Sequence, residues 1–545
     1  MDKRQQYNLF ERCLARFVWV RAGEGTGILL MFLSLFLLML SYYLLKVMRD
    51  PLILSDGSAE LKSYTTAAQA SILLVVIPFF NRFYYKYSSH KDKSLFLRKV
   101  LIFFFTNLSL FIIANQLSLP IGIAFYIWLG VYSVIMVALF WAFCADCFNA
   151  MSGKRLFAVI AVGGTSGAWV GAKLGGFLFP LVGVTGVMLI SASLLLCLNV
   201  LTHWGYKAIP VASRGDEANK PKTINPDWWR GLSRFFHNRY LLLIAVFILL
   251  YNWVNSVGEY VLAKFVIAQA SEVSIRGSYE EQLFMTEFYS GYIAWFTLIG
   301  LLLQVFVVAR LFRWIGVGAS IFILPFVMVI NYSLILFFPF FAVVKWALIA
   351  ENSVNYSIQN TSRHALFLPV SREDKYLSKN AMDTFFYRFG DLMYGASVAI
   401  GVNVLGLGTF EFIAFNALLA GLCCWTALAI RKRYNAQYGE IDEGHPPVLS
   451  TVLKPHTVPA GRKSILSIPP DTFVEPDAGD IIRYQLKGAN GAQLPAWCQF
   501  DDEQLTVALT PPKDHQNKLK LELVARDFAG YEVSTYWKIT IKSEP

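Results

Sequence analysis

Residues 26–51 read TGILLMFLSLFLLMLSYYLLKVMRDP. From Thr26 to Met48 the run is apolar apart from hydroxyl groups and Lys46, and it ends on the charged pair Arg49-Asp50. A helix needs roughly 20 apolar residues to cross a bilayer, so this stretch predicts a transmembrane helix. It is too long and too bulky for a cleaved signal peptide, and it is read as retained. Outward from it, runs of the same kind recur at 64–86, 97–115, 121–146, 156–179, 182–202, 240–266, 288–309, 315–337, 339–361, 382–405 and 408–430. With 26–48 they make twelve expected spans. The whole chain agrees: of 545 residues 56% are hydrophobic and 16% charged, where a soluble domain carries about 25% charged residues. A disordered protein, a disulfide scaffold and an ordinary soluble enzyme are excluded. Seven cysteines are too few and too scattered for a disulfide framework, and Cys144 and Cys147 lie inside an apolar run as packing residues.

The charges order the spans. Lys and Arg number 29 in segments 1–25, 82–99, 147–155, 203–239, 310–314, 362–381 and 431–433. The alternate segments hold only Arg49, Lys62 and Arg276, together with the acids Asp50, Asp56, Glu60, Glu272, Glu280, Glu281 and Glu287. Positive residues stay cytoplasmic, so both termini are expected there, and the net charge of +11 reflects cytoplasmic loops, not a nucleic-acid partner. The longest internal basic loop, 203–239, divides an N-terminal half, 1–202, from a C-terminal half, 240–433. This is the layout of major-facilitator-type carriers, whose halves are related by pseudo-symmetry. The expected fold is thus an all-α polytopic membrane protein with twelve transmembrane helices in a 6+6 arrangement. After a linker at 434–459, residues 460–545 are expected to form a small β-sandwich. Ile481–Leu486, Gln504–Leu509, Leu519–Val524 and Glu532–Ile541 alternate or are β-branched between turns.

An ionisable residue inside the membrane is a functional candidate by default. In the first span Lys46 and Arg49 share a helix face, and Lys46 and Asp50 are four apart; this is either a site or basic side chains reaching for the interface. The seventh span carries Asn252, Asn255 and Glu259 on one stripe, then Lys264. Polar stripes in equivalent spans of two halves suit a central cavity, with helix–helix hydrogen bonding as the plainer reading. The tenth span holds Lys345, Glu351, Asn352, Asn355 and Gln359, and the eleventh holds Asp383, Arg388 and Asp391, of which Arg388 and Asp391 are spaced to pair. Gly163, Gly167, Gly171 and Gly175, four apart, predict a smooth face for close helix packing, with Lys173 on the other side, toward a cavity or the interface. No G-x-x-x-x-G-K-[ST] occurs, so neither ATP hydrolysis nor a cofactor is implied, and transport would run on gradients or exchange.

Four stretches carry a resemblance: Tyr43–Leu54 (YLLKVMRDPLIL), Phe140–Arg155 (FWAFCADCFNAMSGKR), Tyr251–Lys264 (YNWVNSVGEYVLAK) and Tyr356–Gly390 (YSIQNTSRHALFLPVSREDKYLSKNAMDTFFYRFG). Over about 1–433 the chain resembles the nucleotide transporter (ATP/ADP translocase) family of plastids and intracellular bacteria. The resemblance implies exchange of ATP for ADP, or nucleotide uptake, across a bacterial inner membrane. The family's first-span Lys-Asp falls on Arg49-Asp50 and its span-seven Glu on Glu259. Its fourth-span Glu has no counterpart in Tyr126–Ala138, and its Lys before Ala-x-x-Asp falls on Asn380, with Lys379 adjacent. These departures imply a divergent member, with another anionic solute, or a transport-inactive anchor for the tail, as the alternatives. The expected substrate site is Lys46, Arg49, Asp50, Asn255, Glu259, Lys345, Glu351, Asn352, Lys379, Arg388 and Asp391. The tail resembles dystroglycan-type cadherin-like or immunoglobulin-like domains through Pro476–Asp480, Leu494–Cys498 and Val524–Gly530. That implies a protein partner; calcium at Asp477, Asp480 or Asp527 would follow from the family alone, a surface turn is the plainer reading there, and no metal is expected.

Overall fold

The structure is a computed structural model that describes residues 24–87, 94–148, 150–209, 235, 238–367, 370, 381–438, 446–476, 482–489, 492–502, 504–513, 518–527 and 530–542. The chain divides into two compact units, Met1–Gln437 and Tyr438–Pro545.

The first unit is helical: α1 Gly25–Asp56, α2 Ala59–Tyr87, α3 Ser94–Gln116, α4 Gly122–Cys147, α5 Ala150–Ala208, α6 Arg239–Val273, α7 Tyr279–Phe306, α8 Val308–Ser320, α9 Ile323–Phe337, α10 Phe341–Val354, α11 Asn360–Ala365, α12 Tyr387–Asn403 and α13 Thr409–Tyr438. Among the described residues eight helices are long and apolar enough to cross a membrane. A ninth crossing is possible where Trp314–Ser320 and Ile323–Phe337 meet at a 69° bend. The expected spans 156–179 and 182–202 are the two arms of α5, which breaks at Gly183 (φ 63°, ψ −171°). Expected spans 339–361 and 382–405 are interrupted by π-helical turns at Asn355–Gln359 and Met382–Phe386, which leave shorter regular helices. The outward faces carry large apolar side chains such as Phe79, Leu110, Trp314, Phe337 and Leu418, as a surface against hydrocarbon does.

The glycine stripe works as its spacing predicts. A side chain on Gly167 would strike the Phe36 carbonyl, and one on Gly163 or Gly171 would strike the Phe32 or Leu40 carbonyl. Backbone therefore meets backbone along α1 and α5, the geometry only small residues allow. This contact, with Leu38, Leu45, Met48, Phe104, Phe140 and Leu195 packed around it, holds α1 inside the first group of helices. Its polar end, Lys46 to Asp50, is thereby aimed at a cavity and not at lipid.

The second unit is a β-sandwich of a four-stranded sheet β2-β9-β8-β5, a three-stranded sheet β3-β7-β6 and a small pair β1-β4. Its strands are β1 Val448–Leu449, β2 His456–Pro459, β3 Ser464–Ser467, β4 Phe473–Val474, β5 Arg483–Gly488, β6 Cys498–Asp501, β7 Thr506–Leu509, β8 Lys518–Arg526 and β9 Glu532–Lys542. The long hairpin β8–β9 pairs Lys518 with Thr540 through Arg526 with Glu532. Strands β1 and β2 precede the expected start at 460, because β2 completes the large sheet as a parallel neighbour of β9. Leu486, Val507, Leu521, Leu523, Trp537 and Ile539 fill the space between the sheets, and the Trp537 indole N–H donates to the Lys454 carbonyl (2.8 Å). Asp527 Oδ1 accepts from the backbone N–H groups of Gly530 (2.6 Å) and Tyr531 (2.8 Å), closing the β8–β9 turn. That is the surface turn expected at Asp527; Asp477 and Asp480, read with it, lie outside the described residues.

Candidate functional site

Within the helical unit lies a cavity of about 300 Å³ lined from α1, α2, α4, α6, α7, the α10 region and α12. Its cations are Lys46, Arg49, Lys62 and Arg388, and its acids are Asp50, Glu259 and Asp391. The guanidinium of Arg49 donates to both oxygens of Asp50 (3.1 and 3.2 Å) and lies 4.3 Å from the centre of the Tyr126 ring. Asp50 also pairs with the buried Lys62 ammonium (3.4 Å), which stands 4.0 Å from Glu259. Neutral hydroxyl and amide groups complete the Glu259 shell. Tyr292 donates to it (2.9 Å), and Asn352 donates to Tyr292 (2.7 Å) and more weakly to Glu259 (3.4 Å).

On α12, Arg388 pairs with Asp391 at 3.2 Å, one turn away. Asp391 is held by Asn252 (2.8 Å) and Ser256 (3.2 Å) from α6, and Asn252 also donates to the Tyr387 carbonyl (2.8 Å). Lys46 differs from the other three cations. Among the described residues it has no carboxylate partner, and it sits within 6.0 Å of four ring centres, Tyr42, Tyr43, Phe296 and Tyr356. Rings stabilise a cation without neutralising it, at roughly 0.5–2 kcal/mol each. Phe296 and Tyr356 are themselves stacked, 5.4 Å apart and 12° from parallel.

Of the eleven expected site residues, Lys46, Arg49, Asp50, Asn255, Glu259, Asn352, Arg388 and Asp391 line this one cavity. Glu351 is fully buried behind it and accepts from Asn255 (3.5 Å). Lys345 does not line it. Its ammonium lies over the Phe288 and Trp346 rings, because it sits near the start of α10, about two turns from Asn352. Lys379 lies outside the described residues, and Lys173 is exposed on α5. Sequence reasoning missed Lys62. It was counted as one of the few basic residues on the acidic side, and its position at the head of an apolar helix was the available signal. The tyrosines Tyr42, Tyr126, Tyr289, Tyr292, Tyr356, Tyr387 and Tyr394 were missed as well; they belong to five different elements and form no pattern in sequence.

The two groups of helices, 24–209 and 238–438, are joined at one end. Among the described residues every side-chain hydrogen bond between them is found there: Gln282 to Ser55, Arg276 to the Gly57 carbonyl, Tyr260 to Glu60, Asn403 to Tyr64, Ser290 to the Ala172 carbonyl and Tyr279 to the Pro180 carbonyl. Lys264 pairs with Glu60 across the same seam.

The helical fold has known counterparts. Over 361 residues, 58% of this chain and 67% of that protein, the chain is 22% identical to ADP,ATP carrier protein 1 of Chlamydia pneumoniae. The solved structure of the nucleoside transporter NupG matches 75% of this chain and 99% of its own, with a TM-score of 0.53 and 14% identity. The POT family transporter PepTSo matches 75% and 98%, with a TM-score of 0.53 and 12% identity. Residues 446–542 match the family He_PIG, described as "Putative Ig domain". The helical unit therefore has a transporter fold and the chain is a multi-pass membrane protein. Its relatives are transporters, and the resemblance to nucleotide carriers read from the sequence is met by a relative of that name.

Proposed function

We propose that this protein is a secondary transporter that carries nucleotides, by ADP/ATP exchange or related uptake, through alternating access of two six-helix halves. The observation that carries the proposal is Lys46, a cavity cation set among four rings and, among the described residues, in no ion pair with a carboxylate, beside Arg49 and Arg388. A nucleotide brings several negative charges out of water, and only fixed cations offset that desolvation. Here four cations face three carboxylates, so one positive charge is left for substrate. Arg49 and Arg388 suit a phosphate because the planar guanidinium donates two parallel hydrogen bonds. The stacked Phe296 and Tyr356 offer a planar base an apolar face.

In this reading the seam through Glu60, Lys264 and Arg276 is the closed gate on the side that the basic loops avoid. Both termini are then cytoplasmic, and the cavity communicates with the cytoplasm. The β-sandwich serves a partner outside the transport step.

Uptake of labelled ADP into liposomes tests the substrate. Losing one charge-assisted contact costs about 1.5–3 kcal/mol, or roughly ten- to 150-fold in affinity. Lys46→Ala, Arg49→Lys and Arg388→Ala should each weaken uptake by that order, and Lys345→Ala should not. Parental uptake in all three cavity variants removes the anion site. The lack of an acid in Tyr126–Ala138 of α4, where the resembled family has one, favours a second reading in which the substrate is another organic anion. Displacement of ADP by such an anion, with no ADP uptake, would select it.

A further inference from the structure

Glu351 is 0% exposed in the middle of the second half. Its Oε1 accepts from Asn255, and its Oε2 is buried without a hydrogen-bond partner. Two further polar atoms nearby are buried and unpartnered, the Tyr332 hydroxyl and Asn416 Oδ1. The Tyr332 hydroxyl neighbours both the Glu351 carboxyl and the Asn416 amide. Asn416 spends one of its two amide N–H groups on the Val254 carbonyl (2.9 Å), and its oxygen can only accept.

The donors can be counted. With Glu351 ionised, two acceptors, Glu351 Oε2 and Asn416 Oδ1, compete for the single hydroxyl proton of Tyr332, and one stays unsatisfied. One added proton on Oε2 removes the conflict: the carboxyl O–H donates to Tyr332, and Tyr332 donates to Asn416. A buried acceptor without a donor carries the whole cost of its lost hydration. The surroundings favour the same state. The titratable groups acting on Glu351 are Glu259 from α6, Tyr292 from α7, Tyr332 from α9 and Cys423 from α13. Each is neutral or negative, and among the described residues no cation faces it. Glu259, by contrast, has Lys62 and the open cavity beside it. Asn255 touches Glu351 and also lines the cavity, so the carboxyl lies one side chain from the substrate space.

We infer that Glu351 is a proton-binding site and that the carrier moves a proton together with its anionic substrate. The proton passes from water entering the cavity onto Oε2 and returns from Oε2 to water when the site faces the other compartment; no other bond forms or breaks. This rests on the transport reading above, but the binding of the proton is measurable without any substrate.

Infrared difference spectra of the purified full-length protein, recorded across a pH titration, read the carbonyl stretch of a protonated carboxyl directly. The parent should show such a band at neutral pH that disappears on alkalinisation. Glu351→Gln should lack it and Glu259→Gln should keep it. The Gln amide supplies the missing donor, so Glu351→Gln should fold and melt no lower than the parent. A parent spectrum with no titrating carboxyl band overturns the inference whatever the variant does, and so does a band that persists in Glu351→Gln. In liposomes loaded with a pH-sensitive dye, ADP uptake by the parent should acidify the lumen. Glu351→Gln should bring that proton flux to the protein-free level while ADP exchange continues. If the parent moves no ADP, the nucleotide reading fails and the infrared result still decides the proton site. Equal acidification by parent and variant overturns the coupling.

Discussion

Replacing Lys62 by Met keeps the apolar volume of the side chain and removes only its charge. Lys62 is 3% exposed and lies 3.4 Å from one carboxylate oxygen of Asp50 and 4.0 Å from one of Glu259. At an effective dielectric of about 20 the two attractions come to about 5 and 4 kcal/mol before desolvation is subtracted. Both members of the Asp50 pair are buried, and breaking a buried pair from one side typically costs about 3–5 kcal/mol. Arg49 stays on Asp50 and moderates that loss. The Glu259 side chain is 29% exposed, so its share is closer to the 1 kcal/mol of a solvated pair. A net loss of about 3 kcal/mol is expected, seen as a melting temperature lowered by several degrees in detergent together with impaired uptake. The pair with Glu259 also crosses between the two helix groups, so Lys62→Met should loosen the closed end and raise the reactivity of a cysteine placed at Gly57. In a double-mutant cycle, adding Glu259→Gln to Lys62→Met should cost less than the two single losses together, because the stranded carboxylate is gone. Parental melting, parental uptake and strictly additive losses would together refute the bridging role of Lys62.

Gly167→Leu should lower the melting temperature sharply, since the new side chain meets the Phe36 carbonyl and α1 cannot move away without leaving its neighbours. Gly183→Ala has open space around it, but φ 63° with ψ −171° is a backbone region essentially reserved for glycine, so a cost of about 1–3 kcal/mol is expected, measured the same way. Residues 438–545 expressed alone should unfold cooperatively in urea, and full-length protein without them should keep its uptake. In that fragment Trp537→Ala should cost about 3–5 kcal/mol by equilibrium unfolding. Burial pushes the Cys498 thiol up to about 11, so its labelling by a thiol reagent should be slow at pH 8 and climb as the pH approaches that value. Fast labelling at pH 8 in folded protein would contradict the packing of β6.

The sequence by itself determined what is additive along the chain. Apolar length marks a membrane crossing wherever it occurs, so most helices were legible. Loop charge gave an order to them, the four-residue glycine spacing marked a face of α5 for close packing, and period-two alternation located β5, β7, β8 and β9. Eight of the site residues were legible for the same reason: Lys46, Arg49, Asp50, Asn255, Glu259, Asn352, Arg388 and Asp391 are costly in hydrocarbon wherever they point. Only the tertiary structure decided which of these costs are met together. Lys62 belongs to the cavity because α2 brings it back beside Asp50, a long-range pairing with no periodic trace. Lys345 is absent from it because about two turns of helix along α10 place it among Phe288 and Trp346. The breaks at Gly183, Asn355–Gln359 and Met382–Phe386 are packing decisions within apolar runs that hydropathy reads as uniform. The donor shortage around Glu351 involves three residues on three helices, and a count of donors and acceptors exists only once those helices enclose them.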